Sequence, residues 1–86
     1  MPDVLMYSTA WCGFCSRAKR LLTDKGVAFV NIDLDAEPAR RAEMMQKSGQ
    51  RTVPQIWIND EHIGGCDELY ELERNGSLDK KLQDRS

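Results

Sequence analysis

Val4-Leu5-Met6-Tyr7 leads through Ser8-Thr9-Ala10-Trp11 into Cys12-Gly13-Phe14-Cys15. Four apolar residues suffice for a short strand. Beyond it Phe14, Ala18, Leu21 and Leu22 fall at i, i+4, i+7 and i+8, one face of a helix over 13–25. A Cys-x-x-Cys at a strand-to-helix junction reads as a redox pair rather than a metal knuckle. A helix start offers unpaired N–H groups and the positive end of its dipole, and both favour an anion. The anion here is a thiolate, the species that attacks disulfides. Cys12 is expected at the loop end, exposed and flanked by Trp11 and Phe14. Cys15 falls in the first helical turn and is expected to be more buried. Cys12 is therefore the expected nucleophile and Cys15 the resolving thiol.

Outward from this pair, Gly26 ends the helix. Val27 to Ile32 is apolar at almost every position, the pattern of a strand covered on both faces. Asp35 and Pro38 announce a second helix running to about Lys47, with Ala42 and Met45 inward and Gly49 closing it. Gln55 to Ile58 reads as a third strand, Asn59-Asp60 as a turn, and Glu61 to Ile63 as a fourth. Gly64-Gly65 breaks that strand. Residues 67–75 read as a third helix with Leu69 and Leu72 inward, stopped by Gly76. Ser77 is the expected N-cap of a short last helix carrying Leu78 and Leu82.

The order is βαβαββα plus a C-terminal helix. Its first two strands run parallel through a right-handed crossover, and its last two form a hairpin. The expected fold class is α/β, a four-stranded mixed sheet with helices on both faces. Eighty-six residues are expected to form a single domain, 1–86.

Composition narrows the function. The apolar fraction, 41%, is ordinary for a globular protein, and no apolar run is long enough to span a membrane. Met1-Pro2-Asp3 carries no basic region followed by an apolar stretch. The expected compartment is the reducing cytoplasm, where paired cysteines tend to be catalytic. A net charge of −2 makes no electrostatic case for nucleic acid. Asp60 to Glu73 holds six acids and no Lys or Arg. The basic residues gather at Arg17, Lys19 and Arg20, and at Arg40, Arg41, Lys47 and Arg51. Most read as solvated helix faces, while any beside the thiols would attract an anionic substrate.

Three motifs, Cys12-Gly13-Phe14-Cys15, Thr52-Val53-Pro54 and Gly64-Gly65-Cys66-Asp67, resemble the glutaredoxin family in order and spacing, and the resemblance covers nearly the whole chain. Stretches such as Ala18-Lys19-Arg20-Leu21-Leu22 and Thr52-Val53-Pro54-Gln55-Ile56 are similar to its small bacterial dithiol members. The resemblance implies a thioredoxin-like fold and a glutathione groove beside Cys12. It implies a cis Val53-Pro54 bond facing the thiols, with Val53 pairing its backbone to glutathione as an added strand would. It implies that Gly65, Cys66 and Asp67 receive the γ-glutamyl end. There the glycines allow close approach, the helix start offers N–H groups to a carboxylate, and Asp67 pairs with the ammonium. Simple N-capping is the competing role for Asp67. Phe14 and Tyr7 are candidate groove walls, with Tyr7 equally a core residue. Many members carry a Lys three residues before the nucleophile, where this chain has Thr9. Arg41 is then the candidate for the glycine carboxylate, with Arg40 a weaker one.

The resemblance implies glutathione-dependent thiol–disulfide exchange by a monomer, with no metal required. The partners are glutathione and disulfide-bonded or glutathionylated proteins. Cys66 is expected to pack at a helix start, and His62 to be a surface strand residue. With Cys12 and Cys15 they would complete a four-ligand zinc set, but no second short-spaced pair forms a knuckle. The alternative function is a glutathione-ligated [2Fe–2S] dimer held through Cys12, because Cys-Gly-Phe-Ser is the motif of monothiol cluster carriers.

Overall fold

The computed structural model describes residues 3–83; Met1-Pro2, part of the compartment reading, and residues 84–86 lie outside them. The elements in order are β1 Val4–Ser8, α1 Gly13–Asp24, β2 Val30–Asp33, α2 Arg40–Ser48, β3 Gln55–Ile58, β4 Glu61–Gly64, α3 Cys66–Arg74 and α4 Ser77–Gln83. The sheet order is β2-β1-β3-β4. β1 runs parallel to β2 and antiparallel to β3, and β3 is antiparallel to β4. This is the expected α/β architecture.

Strand alternation assigns the two faces. Val4 and Met6 point to one side of β1 and join Ile56 and Ile58 of β3 in a core. Ala18, Leu21 and Leu22 of α1, Leu69 of α3, and Leu78 and Leu82 of α4 close that core. Tyr7 points to the other side, where Ile32, Leu34, Met44 and Trp57 form a smaller core under α2. Asn59 and Asp60 turn the β3–β4 hairpin with φ of 50° and 69°, the two positive angles of a two-residue hairpin turn. Lys25 at the end of α1 pairs with Glu73 of α3 at 2.6 Å and with Asp79 of α4 at 2.8 Å.

Four expectations need correction. The second strand is Val30–Asp33 rather than 27–32, and it lies at the sheet edge, so Val30 is 63% exposed. An edge strand has a neighbour on one side only, and here Ile32 is buried while Val30 stays open to solvent. In α2 the fully buried residue is Met44; Met45 packs only partly against the core and Ala42 is exposed. α2 begins at Arg40, two residues beyond Pro38, and its inward face centres on Met44, one residue before Met45. Ser77 is the first residue of α4 rather than its N-cap, and its N–H donates to the Asn75 side chain at 2.9 Å.

Candidate active site

β1 ends at Ser8, and after four intervening residues the chain enters α1 at Gly13. Cys12 is the N-cap of α1 in an extended conformation, φ −116° and ψ 110°. Its Sγ accepts the N–H of Cys15 at 3.2 Å, and its carbonyl accepts the N–H of Ser16 at 3.1 Å. The sulfur thus occupies the place where a Ser or Asp oxygen would satisfy an orphan helix N–H. Cys12 is partly exposed and Cys15 fully buried, as the sequence implied. Burial, reinforced by its hydrogen bond to Cys12, pushes the Cys15 thiol up to about 12. The Lys19 charge acts in the opposite direction, so one of the basic residues singled out in the sequence does lie near the thiols.

Across from Cys12 stands the Thr52-Val53-Pro54 loop, with a cis Val53-Pro54 bond. The Cys12 thiol donates to the Val53 carbonyl at 3.7 Å. A groove of about 330 Å³ opens beside this contact. Phe14, half exposed, lines it, as do Thr52, Val53 and Pro54 on one side and Gly65, Cys66 and Asp67 on the other. Phe14, Thr52, Val53, Pro54, Gly65, Cys66 and Asp67, all expected from the sequence to contact glutathione, therefore line one groove. A larger cavity of about 530 Å³, lined by Leu5, Phe29 and Trp57, includes neither thiol.

The two glycines before α3 sit where a side chain would be crowded. A Cβ on Gly64, whose φ is 117°, would stand 2.9 Å from the Glu68 side chain. One on Gly65 would stand 3.2 Å from the Pro54 carbonyl. Glu68 comes this close because its Oε1 accepts the Gly65 N–H at 2.7 Å, half of a capping box whose N-cap is glycine. Capping therefore falls to Glu68. Asp67 is exposed on the groove, and no hydrogen bond or ion pair of its carboxylate is found among the described residues.

Arg41, the candidate for the glycine carboxylate, does not line the groove. Its Nη1 donates to the Arg51 carbonyl at 3.0 Å. Arg40 is held by Glu43 at 3.0 Å. Tyr7 is core rather than groove wall: it is fully buried, packs edge-on against Trp57, and donates its hydroxyl to Glu43. Burial, helped by Glu43, raises its phenol to about 12, while Arg40 and then Tyr7 hold the Glu43 carboxyl below the usual carboxylate range. His62 is not a free surface residue; its ring is half buried against Trp57, and Nε2 lies 2.7 Å from Gln55 Oε1. Cys66 packs at the start of α3 as expected, and burial raises its thiol. No group of three or more His, Cys, Asp or Glu that could hold a metal ion occurs among the described residues.

Gln50 and Glu68 also line the groove and were missed in the sequence. Glu68 had a signal, an acid three residues after the helix entry, hidden because glycine rather than Ser or Thr is the N-cap. Gln50 had only its place two residues before Thr52.

Comparison with known proteins bears on this site. Residues 4–63 match the family model described as Glutaredoxin. The chain is 56% identical to a glutaredoxin of Pseudomonas aeruginosa, over 95% of this chain and 98% of that protein. It is 48% identical to glutaredoxin 3 of Escherichia coli K12, over 96% of this chain and all of that protein. Among solved structures, a buckwheat glutaredoxin–glutathione complex superposes with a TM-score of 0.90 at 40% identity, covering 96% of this chain and 78% of that one. A Brucella melitensis glutaredoxin gives 0.82 at 51% identity, covering 94% and 88%. With its thioredoxin-like fold and its thiol pair at the start of α1, the chain belongs to the glutaredoxin family of thiol–disulfide oxidoreductases.

Proposed function

We propose that the chain catalyses glutathione-dependent thiol–disulfide exchange through Cys12 and Cys15. The carrying observation is that Cys12 Sγ caps α1 while facing the Val53 carbonyl beside a groove whose lining includes Gly65, Cys66 and the exposed acid Asp67. The similar buckwheat structure is a glutathione complex, which supports the choice of thiol.

The thiolate of Cys12 attacks the glutathione sulfur of a glutathionylated protein. A Cys12–glutathione disulfide forms, and the protein thiolate leaves and takes a proton. The thiolate of a second glutathione then attacks the glutathione sulfur of that mixed disulfide, releasing Cys12 and glutathione disulfide. With a protein disulfide, Cys12 forms the mixed disulfide with the client, and Cys15 attacks Cys12 Sγ to expel the second client thiol. Two glutathiones then reduce the Cys12–Cys15 disulfide. Cys15 is suited to wait. Two of the causes that hold its proton, the hydrogen bond and the charge of Cys12, vanish once Cys12 is in a mixed disulfide. Cys15 then becomes more acidic at the step that needs its thiolate.

The clients are disulfide-bonded or glutathionylated proteins in the cytoplasm, met by a monomer. No arrangement of the described residues favours the cluster-bridged dimer. The test is a glutathione-coupled reductase assay on the wild type, Cys12→Ser and Cys15→Ser, with glutathionylated and disulfide substrates run in parallel.

A further inference from the structure

Gln50 is an exposed residue on the loop after α2, yet it is held at every polar group but one. Its N–H donates to Ser48 Oγ at 3.0 Å, and the same hydroxyl donates to its carbonyl at 3.0 Å. Its side-chain Oε1 accepts from Gln55 Nε2 at 3.0 Å. Gln55 is fully buried, and its orientation is not arbitrary. The same Nε2 donates to the Thr52 carbonyl at 3.1 Å and to Thr52 Oγ1 at 3.2 Å. A carbonyl can only accept, so this end of the Gln55 amide is the NH2. Its other end, Oε1, accepts from His62 Nε2 at 2.7 Å, so that ring nitrogen carries the proton. Reversing the Gln55 amide would set its oxygen against the Thr52 carbonyl. The chain His62–Gln55–Gln50 therefore has one polarity, and it leaves the Gln50 NH2 with no acceptor among the described residues, on the lining of the groove.

We propose that Gln50 is a ligand contact, its NH2 donating to the glycyl carboxylate of glutathione, with Gln55 and His62 as the positioning residues that aim it. This rests on the glutathione reading above. The assignment of ends follows from chemistry. Asp67 offers only acceptors and suits an ammonium, which glutathione carries at its γ-glutamyl end alone. Gln50 offers a donor and suits a carboxylate without an ammonium, the glycyl end. The backbone of Val53 lies in the chain between Gln50 and the Pro54 that touches Gly65, so a strand-like ligand passing Val53 would reach both.

Gln50→Glu tests the polarity. A carboxylate still accepts from Gln55 Nε2 but turns an anion toward the ligand. The apparent KM for glutathione should rise about tenfold, and about threefold in Gln50→Ala, with a much smaller change in kcat. With glutathione esterified at the glycyl carboxylate, the ratio of variant to wild-type KM should fall to near one. His62→Phe keeps a ring against Trp57 but removes the N–H, and should raise the glutathione KM toward that of Gln50→Ala. His62→Gln, which can donate again, should restore part of it. The proposal is overturned if Gln50→Glu leaves the glutathione KM unchanged, or if its penalty is the same with the ester, which would be a general charge effect. It is also overturned if the KM of each variant only tracks its melting temperature. A wild type inactive with glutathione would remove the parent reading and this one together. An active wild type matched by Gln50→Glu would remove this one alone.

Discussion

The backbone N–H of Cys15 donates to the Sγ of Cys12 at 3.2 Å, so the attacking sulfur is also the cap of the helix that follows it. A thiol is a weak acceptor, and the hydroxyl of serine is a preferred helix cap. The same residue thus trades some capping for chemistry.

Cys12→Ser separates the two roles. It should abolish reduction of both substrate types, because a hydroxyl is not appreciably ionised near neutral pH and cannot act as the thiolate does. It should not lower the melting temperature, since the new oxygen caps at least as well. Cys15→Ser should keep deglutathionylation and impair protein disulfide reduction. Residual turnover by Cys12→Ser alongside a Cys15→Ser variant dead on glutathionylated substrate would reverse the assignment.

Alkaline pH should destabilise the fold. Cys15 is raised from 9.0 to about 12 and Tyr7 from 10.0 to about 12, both chiefly by burial. Below about pH 9 the folded and unfolded chains both hold these protons, and the full stability is present. As pH rises past 9 the unfolded chain gives up the Cys15 proton first and then the Tyr7 proton, while the folded chain keeps both until about 12. The unfolded state is thereby favoured across that window. Denaturant midpoints should be level from pH 7 to 9 and fall from 9 to 11, and Cys15→Ser should flatten the onset of the fall. Midpoints constant through pH 11 would contradict the burial argument.

Much of this was legible in the sequence because it is local. The Cys-x-x-Cys junction, the turn at Asn59-Asp60 and the helix-breaking glycines each depend on a few adjacent residues. The errors concern what lies beside a segment in space. Val27 to Ile32 reads as a covered strand, but only the sheet order reveals it as an edge. His62 reads as surface because its partners Gln55 and Trp57 are joined to it by strand pairing, not by sequence adjacency. Arg41 lies one residue past Arg40 at the start of α2, and the sequence carries no sign that it turns to the Arg51 carbonyl.

Tyr7→Phe tests the placement of Tyr7 in the core. The hydroxyl's partner, Glu43, stays paired with Arg40 and has solvent access, so no charge is stranded. The loss should be that of one hydrogen bond, about 1 kcal/mol, or about 4–8 °C in a domain of this size. Glutathione dependence should not change. A raised glutathione KM at unchanged stability would return Tyr7 to the groove wall.

Asp67 and Glu68 are neighbours with separable duties. Glu68 holds the Gly65 N–H, so Glu68→Ala should lower stability by about 1 kcal/mol, and Glu68→Gln, which can still accept that N–H, should recover most of it. Asp67 holds nothing in the described structure and faces the groove, so Asp67→Asn should leave the melting temperature near that of the wild type. If its carboxylate receives the ammonium of the γ-glutamyl group, the same change should weaken glutathione by about 1–2 kcal/mol, roughly five- to thirtyfold. The penalty should shrink for a thiol lacking that amine, because the lost contact is then absent from both proteins. Melting curves set against the rate dependence on glutathione and on the amine-free analogue make the comparison. An equal penalty with both thiols would mean that Asp67 acts through the general field of the acidic α3 start. A lowered melting point with unchanged glutathione dependence would mean that it shares the capping with Glu68 and touches no ligand.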